Sequence, residues 1–310
     1  MNKTTKALIL LNMGGARNKD ELKMFLTNMF NDKNILTIKN SFIRKMVASM
    51  IVKKRVDEAW ENYKLIGDAS PINPLTEKLV EKCNEKLKDF KTYQVMRYTP
   101  PFAKDVIAKL KDDNIQELIL LPLYPQYSTT TTKSSLEDFI AEAKDSFKIS
   151  SIYDFYSNEK YNLCIVDEIA RNIENGKDYN LIFSAHGLPQ KIVDNGDPYE
   201  KQLNEHIEIL KELLKSKNLE FKSINLAYQS KVGPLKWLEP SLEDMLKNFK
   251  DEKVLIYPIS FIVDNSETDF ELSIEYKEFA DSFGIKEYKV CKCVNYSDDF
   301  ILAIEDIISK

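Results

Sequence analysis

Histidine is nearly missing from this chain. Only His186 and His206 occur, and their spacing fits none of the zinc motifs built from close His and Cys pairs. Glycine is sparse as well, 8 in 310 residues, and no linker, low-complexity tract or short repeat supplies flexible joints. The four cysteines, Cys83, Cys164, Cys291 and Cys293, make no C-x-x-C pair. A disulfide framework is not expected in a chain of this size, and buried free thiols are. Cys291 and Cys293 alternate along an expected strand and should point to opposite faces. No apolar run approaches the length of a bilayer span. Ala7-Leu8-Ile9-Leu10-Leu11, after Lys3 and Lys6, is too short for a secretory segment and reads as a first strand, which places the protein in the cytoplasm. An excess of basic charge is also lacking: 44 Lys and Arg against 49 Asp and Glu give a net charge of −5, which argues against a nucleic-acid partner.

What is present is an ordinary globular composition, 43% hydrophobic and 30% charged, long enough for two domains. Apolar, β-prone runs fall at 7–12, 94–98, 117–124, 151–155, 181–185, 224–228, 254–261 and 288–294. Helix-period segments lie between them, at 77–88, 103–109, 136–143, 163–173, 200–215 and 242–248. This alternation predicts α/β architecture, with parallel sheets reached by right-handed crossovers and covered by helices. The eight strands divide into two sets of four. Leu118-Ile119-Leu120-Leu121-Pro122 and Val254-Leu255-Ile256-Tyr257-Pro258 look alike, proline included, which suggests two related halves with a cleft between them.

The halves differ most at an extra segment of about 28–67. It interleaves Phe42, Ile43, Met46, Val47, Met50, Ile51 and Val52 with Arg44, Lys45, Lys53, Lys54 and Arg55. At helical spacing these residues suit a lid over a flat apolar anion or a surface touching acidic lipid. A helix packed on its own domain fits them equally.

Two strand ends stand out, because open α/β sheets place their chemistry there. The first is Ser184-Ala185-His186-Gly187-Leu188-Pro189. The second is the acidic stretch after the 254–261 strand. On an α-helix Asp264, Glu267, Glu271 and Glu275 would fall within an arc of roughly 80°. Like charges so spaced cost about 0.2–0.5 kcal/mol per pair, so a purely structural helix gains nothing from them. Such a row can hold divalent metal or pass protons, or it can simply complement a helix N-terminus and face solvent. His186 alone reads as a catalytic or a structural strand-end residue, whereas His206 reads as an exposed helix residue without chemistry. Asn12-Met13-Gly14-Gly15 occupies the place of a dinucleotide loop but lacks G-x-G-x-x-G spacing. The run from Tyr124 through Ser128 to Thr132 reads as a capping loop, and Trp237 as core or a stacking platform.

Taken in order, several segments resemble the ferrochelatase family nearly end to end. They are Leu-Leu-Asn-Met-Gly-Gly at 10–15, Tyr63 through Ile66-Gly67 to Ser70-Pro71-Ile72, Met96-Arg97-Tyr98, Pro122 through Tyr124-Pro125-Gln126-Tyr127-Ser128, 184–189, 229–234 with Trp237-Leu238, and Asp264 through Glu267-Thr268 to Glu271. The resemblance implies two similar Rossmann-like domains, each a four-stranded parallel sheet flanked by helices. The first would span 1–157, with the 28–67 insertion as a porphyrin lip and a terminal helix of about 297–310 packing back on it. The second would span 158–296 and carry the catalytic pair.

By the same resemblance His186 and Glu267 are that pair, with Asp264 continuing an acidic path, and His186, Glu267 and Glu271 handling metal. Arg55, Tyr63 and Ser70 match positions near the propionates, and Met13, Arg97, Tyr98 and Trp237 match the pocket around the macrocycle. The implied reaction is insertion of Fe²⁺ into protoporphyrin IX with release of two protons, the last step of haem synthesis. The protein would act as a cytoplasmic monomer, with peripheral contact at the inner face of the membrane through the lip. Coproporphyrin III, a corrinoid precursor, or a carrier role without catalysis are the competing readings. No resident cofactor is implied, since Thr129 stands where cluster-binding relatives place a cysteine. Asn265 departs from the pattern, because many relatives have histidine there. A neutral imidazole at His186 would suit removal of pyrrole protons.

Overall fold

The computed structural model describes residues 5–231, 233 and 235–309; Val232 and Pro234 of the 229–234 run, Lys3 near the start and Lys310 at the end of the expected last helix lie outside them. The chain divides into two units, one running through Tyr124 and adding Ser128–Asp154, the other formed by Pro125–Tyr127 and Phe155–Ile307.

In the first unit four strands, β1 (Lys6–Asn12), β2 (Lys91–Met96), β3 (Glu117–Pro122) and β4 (Lys148–Ser151), form a parallel sheet in the order β2-β1-β3-β4. The central strand is β1, and its apolar run is buried on both faces, as a parallel sheet covered by helices requires. Ala7, Ile9 and Leu11 meet Val106, Ile107 and Leu110 of the helix Ala103–Asp112 and Leu136 and Phe139 of the helix Ser134–Ala143. Burying each such side chain contributes about 1.5–3 kcal/mol. The expected 28–67 insertion begins within the helix Lys19–Asn31 and contains the helix Ser41–Lys64. One face of the latter packs Ala48, Val52 and Tyr63 against Leu22, Leu26 and Phe30. Its other face leaves Phe42, Ile43, Met46 and Met50 exposed.

The second unit repeats the plan. Strands β5 (Tyr179–His186), β6 (Ser223–Gln229), β7 (Lys253–Pro258) and β8 (Glu287–Val290) pair in parallel in the order β6-β5-β7-β8. Pro122 and Pro258 close equivalent strands, opposite Leu11 and Ser184 of the two central strands. Ile182, Val254 and Ile256 pack with Leu242, Leu246, Leu272 and Ala280 in one core.

Two expectations change. The strand 288–294 ends at Val290, because the chain then leaves the sheet; Cys291 and Cys293 lie beyond it and are both buried. The last helix, Asp298–Ile308, clusters with the second unit through Ile307, where Phe300 packs against Tyr161, and its final residue, Ile308, with the first. The acidic stretch is no α-helix: Glu267–Glu275 is π-helical, and Asp264 precedes it. The wider turn cancels the shared α-helical arc expected for the four carboxylates.

Candidate active site

The central strand β5 ends on His186, and the loop after β7 carries Glu267 into the π-helical segment. Both therefore arise at the carboxyl edge of one sheet. His186 Nδ1 lies 2.8 Å from Glu267 Oε2. The imidazole's backbone is held as well. Its N–H donates to Ser260 Oγ at 3.3 Å, and its carbonyl accepts from the Tyr199 hydroxyl at 3.0 Å. Gly187 next to it allows close approach of β6, since a Cβ there would stand 2.8 Å from the Gln229 carbonyl oxygen and 3.3 Å from the Trp237 ring.

Behind the pair sits Gln229, fully buried at the end of β6. Ser184, two residues before His186 on the same strand, donates its hydroxyl to Gln229 Oε1 at 2.7 Å. Gln229 Nε2 in turn reaches Glu267 Oε2 at 3.4 Å and Glu271 Oε2 at 3.3 Å. The Ser230 hydroxyl lies 3.3 Å from the same Glu267 oxygen and 2.5 Å from that of Glu271. Two carboxylates thus share two donors, although one hydroxyl proton serves only one of them at a time.

Burial pulls the His186 pKa down, but the Glu267 charge and hydrogen bond, with Glu271 beyond, raise it to about 9. The imidazole remains 38% exposed, so the upward influences prevail. Burial pushes Glu267 up, yet its contact with His186 brings the net shift below the ordinary carboxylate value. Burial and the neighbouring Glu267 push Glu271 up to about 7. Contact with Glu267 thus favours the protonated form of His186, and contact with His186 favours the ionised form of Glu267. Among the described residues no three His, Cys, Asp or Glu side chains form a ready metal cage.

Asp264 is not brought to the pair. Its carboxylate accepts from the Cys293 N–H at 3.0 Å and the Asn295 amide at 2.9 Å, and Lys292 stands 3.7 Å away. It pins its loop to the segment after β8. His206 is fully buried and not exposed. Its Nδ1 lies 2.9 Å from Gln126 Nε2 and its Nε2 lies 2.7 Å from Asn162 Oδ1.

In the first unit the ends of β1 and β2 bring Met13, Arg97 and Tyr98 together, through Arg97 N–H to the Asn12 carbonyl and Tyr98 N–H to the Met13 carbonyl. The Arg97 guanidinium is shared between Asp32 and Asp138, each at 3.1 Å, and Ser134 Oγ at 3.0 Å. It stands 5.2 Å from the Tyr98 ring centroid. The Tyr98 hydroxyl donates to Asp32 at 3.0 Å, and the ring is 3% exposed. The polar ends of Arg97 and Tyr98 are thus satisfied inside the unit. Ser70 is buried beside Gly15, Tyr63 stacks on Trp60 with centroids 6.3 Å apart, and Arg55 is half-buried on the helix Ser41–Lys64. Gly15 donates its N–H to Asn73, so that amide is not free to cradle a phosphate.

A repeated four-stranded parallel sheet covered by helices, with an imidazole and carboxylates at the carboxyl edge of one sheet, defines a chelatase-type α/β protein. Its backbone is similar to SirB from Bacillus subtilis with Fe³⁺ (TM-score 0.61, 9% identity, 99% of this chain and 95% of that one). It is also similar to CbiX, described as the terminal enzyme for biosynthesis of sirohaem in denitrifying bacteria (TM-score 0.52, 10% identity, 98% of each chain). At such identities the likeness shows the fold alone. A sequence model of the ferrochelatase family matches residues 5–310. Proteins named ferrochelatase from Nitratiruptor sp. and Sulfurimonas denitrificans are 50% and 49% identical, covering 98% of this chain and 99% and 98% of those relatives. The chain belongs to the ferrochelatase family, enzymes of the ferro-lyase class that insert metal in haem biosynthesis.

Of the groups around the pair, Gln229 and Ser230 are named by sequence only as members of a motif, and Tyr199 and Ser260 carry no sequence signal. Ser184 had one available, since residues i and i+2 of a strand share a face.

Proposed function

We propose that this enzyme inserts Fe²⁺ into protoporphyrin IX, releasing the two pyrrole protons to give protohaem. The observation that carries the reading is the 2.8 Å contact of His186 with Glu267 beside Glu271. A free-base macrocycle loses two N–H protons for each ferrous ion gained, so the site needs groups that take protons in succession. His186 holds a proton of its own in the resting pair. It becomes a base for a pyrrole N–H once that proton has left to solvent, and it takes the second pyrrole proton after the first has left by the same route; Glu271, raised to about 7 by burial and by Glu267, is the neighbouring group that exchanges protons with solvent near neutral pH. The same imidazole and carboxylates suit ferrous iron as passing substrate.

Met13, Arg97 and Trp237 are proposed as residues against the macrocycle, with the buried Tyr98 supporting Arg97, and Arg55 toward its propionates, with the buried Tyr63 and Ser70 supporting that end. Rigid walls of this kind would hold the ring bent and expose a nitrogen lone pair. Asp264 supports the loop that delivers Glu267. The exposed strip of Phe42, Ile43, Met46 and Met50, flanked by Lys45, Lys53 and Lys54, is proposed to touch an anionic lipid surface. No helix among the described residues is long and apolar enough to cross a membrane.

The test is an anaerobic assay of purified protein with Fe²⁺ and either protoporphyrin IX or coproporphyrin III, following loss of the free-base spectrum. Faster conversion of coproporphyrin III would move the substrate assignment. A spectrum that shifts on binding and never converts would show a carrier.

A further inference from the structure

The turn that delivers Glu267 is organised by a side chain without an ionisable group. Asn265 is 4% exposed, and its polar atoms are used inside the turn. Its Oδ1 accepts the Glu267 N–H at 2.8 Å, and its Nδ2 donates to the Val263 carbonyl at 3.2 Å. Its own N–H donates to Thr268 Oγ1 at 2.9 Å. The Thr268 hydroxyl returns a bond to the Asn265 carbonyl at 3.0 Å, and that carbonyl also accepts the Asp269 N–H at 3.0 Å. This is an Asx turn closed from the other side: the Asn265 side chain takes the N–H two residues on, as it can at the start of a helix, and the Thr268 side chain takes the Asn265 N–H, as in one half of a capping box.

Two consequences follow for the site. Oδ1 is turned onto the backbone and Nδ2 can only donate, so the side chain offers little to a cation and carries no proton that leaves near neutral pH. Meanwhile the backbone of Glu267 is fixed at its N–H, while its carboxylate is fixed by His186, Gln229 and Ser230. The residue is gripped at both ends. An ordinary cap stabilises its helix and leaves chemistry alone; this one acts on the amide of the very residue that meets the imidazole.

We propose that Asn265 is a positioning residue, whose cap sets the Glu267 backbone so that the carboxylate meets His186, and that it neither binds metal nor carries a proton. The proposal rests on reading that pair as the insertion centre. Asn265→Ser and Asn265→Ala test it, because serine keeps an oxygen acceptor at the cap, alanine lacks it, and neither adds charge. Assayed well below the unfolding transition, N265A lowers kcat about ten- to a hundredfold, the size of effect expected from misplacing a reacting group by about 1 Å. KM for the porphyrin stays unchanged, and N265S recovers most of the loss.

A second readout needs no activity. In metal-free ¹⁵N-labelled protein the ring nitrogens of His186, told apart from those of His206 by the His186→Ala spectrum, shift in N265A and return toward wild type in N265S. Wild-type kcat and ring shifts in N265A would reduce Asn265 to a stabilising cap. An N265S enzyme as impaired as N265A, with wild-type ring shifts, would give the carboxamide itself a role on metal or protons. Either result overturns the proposal. A wild-type protein that inserts no iron defeats the functional reading instead, and the ring-nitrogen comparison still decides the positioning.

Discussion

His186 Nδ1 and Glu267 Oε2, 81 residues apart in sequence, are 2.8 Å apart in space. Removing the carboxylate charge while keeping its shape, Glu267→Gln, should lower kcat by at least about 100-fold, the usual reach of positioned proton transfer. His186→Ala should abolish insertion while porphyrin still binds, measured by the shift of its absorption. Near-normal turnover in H186A would remove the imidazole from the mechanism.

The same contact makes a prediction for stability. The folded pKa of His186 is raised to about 9, above an unfolded value near 6.5, so its contribution is fully present below about pH 6.5 and is lost as pH rises through about 9. Thermal midpoints of wild type should therefore fall across that window relative to E267Q, which lacks the stabilising charge. Parallel curves for the two proteins would contradict the ion pair.

The fold was legible because each unit rests on one apolar strand, β1 or β5, whose ends the hydrophobic run marks. His186 stands out directly after such a run. Its partner is named only by the family resemblance, since nothing local in Val263-Asp264-Asn265-Ser266-Glu267 tells which of the acids turns toward β5. The α-helical period does not hold there: it groups Asp264 with Glu267, whereas Asp264 accepts from the Cys293 N–H and the Asn295 amide. His206 differs from its expected exposure for another reason. Its polar neighbours Glu205 and Glu208 point to solvent, while Leu203, His206, Ile207, Leu210 and Leu214 form the buried stripe of the helix Tyr199–Ser216.

Burial pushes the His206 pKa down to about 3. A neutral imidazole there lets Gln126 and Asn162 keep their bonds, whereas protonation would bury an unpaired charge. The contribution is full above about pH 6.5 and is lost as pH falls toward about 3, on the order of a few kcal/mol. Denaturant midpoints of His206→Gln, which cannot titrate, should lose less between pH 6 and about 4 than those of wild type. An identical acid slope would show that other groups set it.

Asp32, 4% exposed, collects donors from Arg97, Tyr98, Ser134 and the Asn34 N–H. Asp32→Ala leaves these groups facing one another without their acceptor, which should cost about 3–5 kcal/mol. The expected result is a large drop in thermal midpoint, with any folded fraction binding porphyrin more weakly because Arg97 and Tyr98 are no longer fixed. A midpoint within a degree or so of wild type would mean that the network contributes little.

The outer face of the helix Ser41–Lys64 sets Phe42, Met46 and Met50 at four-residue intervals, 76%, 51% and 59% exposed, on one stripe. Side chains this exposed bury comparatively little within their own unit, so changing all three to serine should move the thermal midpoint only slightly. Cosedimentation with vesicles containing anionic lipid should fall sharply. The neighbouring lysines add a second dependence, since Lys45, Lys53 and Lys54 would each contribute about 1 kcal/mol near such a surface, screened by salt. Binding that weakens with salt in wild type, weakens further on charge reversal of the lysines, and is lost in the triple serine variant would establish the face. Failure of wild type to sediment with these vesicles at low salt would rule it out.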